Sequence, residues 1–227
     1  MSSLPLHDWN LAPEAAIALQ RRLAGRVERA DRLEAVRHIA GVDIGFEEQG
    51  TITRAAVVVL AWPPGEKGEW QVVEQAVHRE PTRMPYIPGL LSFREVPAAL
   101  AAFDKLAARP QLVMVDGQGI AHPRRLGVAS HLGLWLELPT IGVAKSRLCG
   151  THAEPGPQRG DWTPLRDGDE VIGAVLRSRT RVKPIFVSPG HRLTLATALE
   201  WVIACLGPTK LPEPTRLADR LASRRGE

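Results

Sequence analysis

Three carboxylates in this sequence stand where a cation, a phosphate or a proton could be handled. Asp43 lies in Ile39-Ala-Gly-Val-Asp-Ile-Gly-Phe46, in mid-strand between apolar neighbours. An ionised carboxylate buried there without a partner is costly, so it calls for a cation or several donors, unless strand alternation simply turns it to water. Asp116 ends the apolar run Leu112-Val-Met-Val115 and opens Asp-Gly-Gln-Gly119. Functional residues of open α/β sheets gather at the carboxyl ends of strands, and two nearby glycines let backbone approach a ligand closely. An Asp-Gly turn without chemistry is the alternative, although the segment that follows, Ile120-Ala-His-Pro-Arg-Arg125, is no hairpin return strand. Glu95 closes Ser92-Phe-Arg-Glu95, the spacing of a capping box in which it reaches back to the Ser92 amide. Pro97 would sit awkwardly at the fifth position of that helix, so the helix starts at Ser92 or at Pro97. Either way Glu95 belongs at a helix N-terminus. If the three converged, they would suit Mg²⁺, which prefers oxygen ligands and keeps waters for a substrate phosphate. Two such ions roughly 3.5–4 Å apart activate water and stabilise the leaving oxygen of a phosphodiester. Spacing alone does not show convergence.

The elements that must position these acids follow from periodicity and punctuation. Pro13 to Ala30 reads as a helix, with Pro13 near its start and Ile17, Leu19, Leu23 and Val27 at roughly helical spacing. Val36 to Phe46, Thr51 to Trp62 and Trp70 to His78 read as strands of an antiparallel meander, separated by the turn residues Glu48-Gln-Gly50 and Pro63-Pro-Gly65. Phe93 to Ala108 is an Ala-rich helix, and Gln111 to Val115 has the continuous apolar character of a buried parallel strand. Beyond it come a helix at Leu126 to Leu136 and strands at Thr140 to Ala144, Val171 to Arg177 and Pro184 to Ser188. Helices at Leu193 to Cys205 and from about Thr215 onward follow, and His152 to Asp161, rich in Pro and Gly, reads as a surface loop. Three antiparallel strands, a helix, then parallel strands alternating with helices make an α/β mixed sheet flanked by helices. That order is the one of the ribonuclease H-like architecture.

Composition narrows the class. A chain of 227 residues has room for one large domain or two small ones and buries roughly 70–75% of its unfolded surface, enough to fold without a disulfide or metal staple. No repeat or linker stands out, so a single domain over residues 1–227 is expected. The longest apolar run, Ala55 to Trp62, falls far short of the roughly 20 residues of a membrane span. The N-terminal residues lack the basic and apolar regions of a signal peptide, so a soluble cytoplasmic protein is expected. Cys149 and Cys205 are isolated, which excludes a disulfide framework or zinc ribbon. The net charge is +4, with 24 arginines against five lysines; Arg suits phosphate, and genome-level codon bias explains the skew equally well.

Three stretches are more specific: Met84-Pro-Tyr-Ile-Pro-Gly-Leu-Leu-Ser-Phe-Arg-Glu95, Val115-Asp-Gly-Gln-Gly-Ile-Ala-His-Pro-Arg-Arg-Leu-Gly127 with its continuation to His131, and Pro139-Thr-Ile-Gly-Val-Ala-Lys-Ser-Arg-Leu148. With Ala40-Gly-Val-Asp43, Phe186-Val-Ser-Pro-Gly-His191 and Pro212-Glu-Pro-Thr-Arg-Leu-Ala-Asp219, they resemble the endonuclease V family over almost the whole chain. The resemblance implies a ribonuclease H-like fold and a DNA repair nuclease that recognises deoxyinosine, the product of adenine deamination. Such an enzyme hydrolyses the second phosphodiester 3′ to the lesion with Mg²⁺ or Mn²⁺, leaving a 3′-hydroxyl and a 5′-phosphate.

By this likeness Asp43 and Asp116 are the principal metal ligands and Glu95 completes the acidic cluster. Asp219 matches a fourth position where family members carry Asp or His. On a helix it points away from Leu217 and Leu221, so the residues alone make it a solvated position. His122 and Lys145 match positions near the active site, where His could orient or protonate and Lys could neutralise charge on the phosphate; a loop hydrogen bond and a solvated strand end are their plain alternatives. Tyr86, the sole tyrosine, sits in Pro85-Tyr-Ile-Pro88, a loop stiffened by proline that matches the family's strand-parting wedge; its alternative is an aromatic packed under the loop. Leu91, Gly117, Gly119, Gly127 and Leu148 match the lining of a pocket for the extruded base. Arg124, Arg125 and Arg147 are phosphate contacts by charge.

The expected partners are deoxyinosine-containing DNA and, as the alternative within nucleases, inosine-containing RNA. No membrane partner is expected, and the expected state is a monomer. A junction-resolving nuclease would have no need of the wedge or the base pocket, and a hydrolase of small phosphates no use for a wedge. A non-catalytic nucleic-acid-binding module would be signalled by loss of Asp43, Glu95 or Asp116, and all three are present.

Overall fold

Turn chemistry and β-branched runs build the first half of the sheet. In the computed structural model, which describes residues 6–223, β1 (His38–Glu47) pairs antiparallel with β2 (Ile52–Ala61), and β2 with β3 (Val72–Pro81). The β1–β2 turn carries positive φ at Glu48, Gln49 and Gly50, which fits the Gly that closes it. β2 is buried from Thr53 to Leu60; helices cover both its faces, so its apolar run is continuous rather than alternating.

A helix, α2 (Leu91–Phe103), leads into β4 (Leu112–Asp116), which lies parallel to β1; α3 (Val128–Leu136) then leads into β5 (Thr140–Ala144), parallel to β4. Three further strands, β6 (Trp162–Asp167), β7 (Glu170–Leu176) and β8 (Ile185–His191), complete an eight-stranded sheet in the order β3-β2-β1-β4-β5-β8-β7-β6. Helices α4 (Leu195–Ala204) and α5 (Glu213–Ser223) close the chain, and α1 (Pro13–Ala24) precedes β1. This is the mixed sheet flanked by helices that the order of elements predicts. No described helix is long and apolar enough to cross a membrane.

Strand alternation divides the core between the two faces. On one, Val42, Val57, Val113 and Val115 pack with Val96 and Ala99 of α2 and Leu132 of α3. On the other, Ile39, Leu112, Met114 and Ile141 pack with Leu199 and Val202 of α4, while Ala218 of α5 packs on Val58 and Leu60. In β1 the second face therefore receives Ile39, Gly41 and Asp43. At Gly41 an added Cβ would overlap the backbone carbonyl of Pro214, so α5 lies against β1 with no room for a side chain.

Several expectations are corrected. The expected parallel half is parallel only through β1, β4 and β5; β7 and β8 run antiparallel to their neighbours, because a buried apolar run reads the same in either direction. Strand β6 was not expected at all: Pro164 interrupts it, which an edge strand tolerates. Helix α1 stops at Ala24 rather than Ala30, at Gly25, the residue of low helix propensity in that stretch. Helix α2 begins at Leu91 and accommodates Pro97 internally, and its N-cap is Leu90. The Ser92–Glu95 capping box does not form, since the Ser92 hydroxyl pairs with His131 Nδ1 at 2.9 Å. Helices α3 and α4 start two residues later than expected, behind Gly127 and Thr194; the Thr194 hydroxyl caps α4 by accepting from the Thr197 amide. Helix α5 begins at Glu213 rather than Thr215, and the end of the chain expected to continue it lies outside the described residues.

Candidate active site

Parallel pairing and one helix bring three acids together. The register that pairs Val42 with Val115 sets the next residues, Asp43 and Asp116, side by side on the α5 face. Helix α5, seated on β1 at Gly41, turns Asp219 toward them. One carboxylate oxygen from each of Asp43, Asp116 and Asp219 lies within 4.8 Å of the others. Lys145, the residue after β5, places Nζ 2.6 Å from Asp116 Oδ2 and 2.6 Å from Asp219 Oδ1.

The electrostatics are those of crowded acids with too little positive charge. Burial first, and then the charge of Asp116, raises the Asp43 carboxyl from 3.8 to about 7, against the pull of Lys145. Glu95 of α2 is raised to about 8, by burial first and then by the charges of Asp43 and Asp116. It thus belongs electrostatically to the cluster, although the tight trio is Asp43, Asp116 and Asp219. Burial works against the Lys145 ammonium, but hydrogen bonds to Asp116 and Asp219 outweigh it and hold Lys145 above the ordinary lysine range. A set of oxygen donors with excess negative charge is what Mg²⁺ or Mn²⁺ takes, so the residues present fit a divalent cation.

This balance sets a pH dependence. In the folded protein without metal, Asp43 and Glu95 hold their protons to about pH 7 and 8, whereas in the unfolded chain they ionise near 3.8 and 4.5. The folded state binds protons more tightly, so this stabilisation is complete below about pH 4 and is lost as pH rises through 7 to 8. The melting temperature of the metal-free protein is expected to fall by several degrees between pH 5 and 8.5. Mg²⁺ should raise the melting temperature more at pH 8 than at pH 5.5. A Glu95→Gln variant should flatten the metal-free curve, and an unchanged curve in that variant would refute the assignment.

Beside the cluster lies a cavity of about 390 Å³ that Glu95 and Asp116 border. Leu91, Gly117, Gly127 and Leu148, four of the five residues expected to form a base pocket, line it. Gly119 does not. It packs backbone to backbone on β8, where an added Cβ would overlap the Pro189 carbonyl, and its amide donates to Ser188 Oγ at 2.9 Å. Over the cavity stands the Pro85–Pro88 loop, with Tyr86 at 68% exposure. Tyr86 is thus a projecting tip and not an aromatic packed under a loop, while Ile87 is half-buried against the α1 cluster.

The other expected residues divide by their partners. His122 is a strut: its Nδ1 accepts from the Arg124 amide at 3.1 Å, which leaves Nε2–H to donate to the Gly89 carbonyl at 3.1 Å. Burial first, then the Arg124 charge, lowers it to about 4, so it is neutral. Arg124 donates to the same carbonyl at 2.7 Å and also to Gln20 Oε1. Arg125 is paired with Asp167 at 2.8 Å and Glu170 at 2.7 Å. Arg147 alone of the three lines the cavity as an exposed cation.

Two kinds of residue escaped sequence reasoning. Gln20, buried on α1, donates to the Gly89 carbonyl at 2.9 Å, and a glutamine in an amphipathic helix carries no signal of such a task. Lys210 is lowered by burial first and then by the charges of Lys145 and Lys183, with Asp116 opposing. Its loop position carries no pattern that would have singled it out.

The profile of the Endonuclease V family matches residues 21–220 of the chain. An Endonuclease V of Azotobacter vinelandii is 57% identical over 225 residues, covering 99% of this chain and all of that one. The crystal structure of an Endonuclease V from Streptomyces avermitilis superposes with a TM-score of 0.86 at 41% identity, over 94% of this chain and 92% of that one. The Endonuclease V of Ciona intestinalis, in complex with a 24mer DNA containing an inosine followed by a ribo-adenosine, superposes with a TM-score of 0.75 at 28% identity. That match covers 90% of this chain and 93% of that one.

Proposed function

The chain belongs to the endonuclease V family, and on that premise we propose that it is a divalent-metal-dependent DNA repair nuclease. It recognises deoxyinosine and hydrolyses the second phosphodiester 3′ to it, leaving a 3′-hydroxyl and a 5′-phosphate. The observation that carries this reading is the juxtaposition of the Asp43–Asp116–Asp219 cluster with a cavity under an exposed aromatic loop tip. The Ciona relative's complex with inosine-containing DNA supports the substrate.

Each residue then has a part. Asp43, Asp116 and Asp219, with Glu95 behind them, would hold Mg²⁺ or, in its place, Mn²⁺; such an ion, when bound, lowers the pKa of a water and stabilises charge on the leaving oxygen. Lys145 keeps its ammonium between two of these acids and supplies positive charge where the scissile phosphate sits. Tyr86, with Pro85, Ile87 and Pro88, parts the base stack, and the chain's triple hold on the Gly89 carbonyl keeps that loop from yielding. Leu91, Gly117, Gly127 and Leu148 shape the pocket for hypoxanthine, which lacks the exocyclic amine of guanine, so a close-fitting wall excludes guanine by size. Arg147 offers a phosphate contact at the cavity rim.

A strand carrying inosine in RNA is the second reading, favoured by the ribo-adenosine that follows the inosine in the Ciona complex. The test is cleavage with Mg²⁺ of three matched oligonucleotides: one with a single deoxyinosine, one with a single inosine in RNA, and one with neither. Cutting one nucleotide beyond the deoxyinosine, and only there, is the expected result, and a faster cut of the RNA would transfer the assignment to the second reading. No cutting of any strand by the folded protein would refute both.

A further inference from the structure

The Pro85–Pro88 loop has two faces, and each borders a cavity. Tyr86 and Pro88 line the cavity beside the acids, whereas Pro85 and Ile87 line a second, of about 450 Å³, whose opposite wall is the N-terminal segment. The loop therefore stands as a partition between the two cavities. Its base is fixed by Gln20, His122 and Arg124 on the Gly89 carbonyl.

The second cavity has a largely apolar wall, with an indole, an amide and a guanidinium in it. Trp9 lines it and is held in place by Trp135, stacked at 5.1 Å and 20°, and by contacts to His7, Phe93 and His131. Asn10 borders it, exposed, and its side-chain amide has no hydrogen-bond partner among the described residues. Arg83 borders it too, with its charge already paired to Glu80 at 2.9 Å. A phosphate would want an unpaired cation. An indole ring, an amide with a free donor and acceptor, and a guanidinium plane whose charge is neutralised are instead what a nucleobase stacks on and bonds to.

We propose that this second cavity takes the nucleobase that stood opposite the inosine, once the loop has parted the pair. The proposal rests on the function proposed above. Parting a pair strips two bases of stacking and hydrogen bonds, and a partition with a cavity on either side houses both, the lesion among Leu91 and the glycines, its former partner among Trp9, Asn10 and Arg83.

The test is binding without divalent metal, measured on a duplex with one deoxyinosine and on the same duplex carrying an abasic analogue opposite it. Asn10→Ala and Arg83→Ala change exposed side chains, and their folding is checked by melting temperature. Each is expected to weaken binding of the first duplex about three- to ten-fold and to match wild type on the second, so that each variant and the opposing base form a coupled cycle. Equal weakening on both duplexes, or none on either, would overturn the proposal. Failure of the wild-type protein to prefer the deoxyinosine duplex over an undamaged one would instead sink the function on which the proposal rests, and the proposal with it.

Discussion

Replacing Asp43 with alanine is expected to lower cleavage of a deoxyinosine strand by about three orders of magnitude or more, while binding of that strand stays within a few-fold of wild type. The reason is positional. Asp43 sits in the acid trio, half-buried and next to Asp116 in the parallel register, and is not among the residues that line the cavity. Its loss takes a carboxylate from the cation and leaves the recognition surfaces intact. The same change should raise the melting temperature of the metal-free protein at pH 8, because the acid held at about 7 by burial and by Asp116 no longer has to ionise in the folded state. Cleavage within ten-fold of wild type would refute the metal-holding assignment, and a lower melting temperature at pH 8 would refute the electrostatic one.

The second large effect is expected from Gly41→Ala, a change that adds one methyl and alters no charge. The new Cβ would overlap the carbonyl and carbonyl carbon of Pro214, backbone atoms that cannot swing aside, so α5 must lift from β1. A loss of at least about 3 kcal/mol is expected. Cleavage should fall further than stability alone would bring about, because Asp219 leaves the trio together with its helix. Gly45→Ala, four residues along the same strand, meets nothing within 4 Å and should be neutral in stability. Equal melting temperatures for the two variants would show that α5 is not seated as described.

How far the sequence predicts this depends on whether a feature is local. The meander was legible because its turns and β-branched runs are written in adjacent residues, and Asp116 because it ends an apolar run. Strand direction in β7 and β8 was not, since direction depends on how far a connection travels and not on the strand's own residues. Strand β6 was hidden by Pro164, whose missing donor matters only if the strand is not at an edge. Ser92 spaced itself as a cap yet found a better partner in His131, 39 residues away. For Asp219 the helical-face argument separated it from Leu217 and Leu221 but pointed to water, and the structure turns it to the acids of β1 and β4. Leu217 and Leu221 pack on one flank of α5 against Val58 and Leu60, while Asp219 on the other flank reaches along the sheet face to Asp43 and Asp116 instead of bulk water. The resemblance named residues that periodicity could not, and four of its five pocket residues line the cavity while Gly119 lies outside that lining.

The cluster is assembled from parts that lie far apart in sequence and are held by different means. Strand pairing alone sets Asp43 and Asp116 side by side, whereas Asp219 arrives only when α5 docks on β1 at Gly41. A lapse in the docking of that one helix therefore takes a single acid from the cluster and leaves the other two in register.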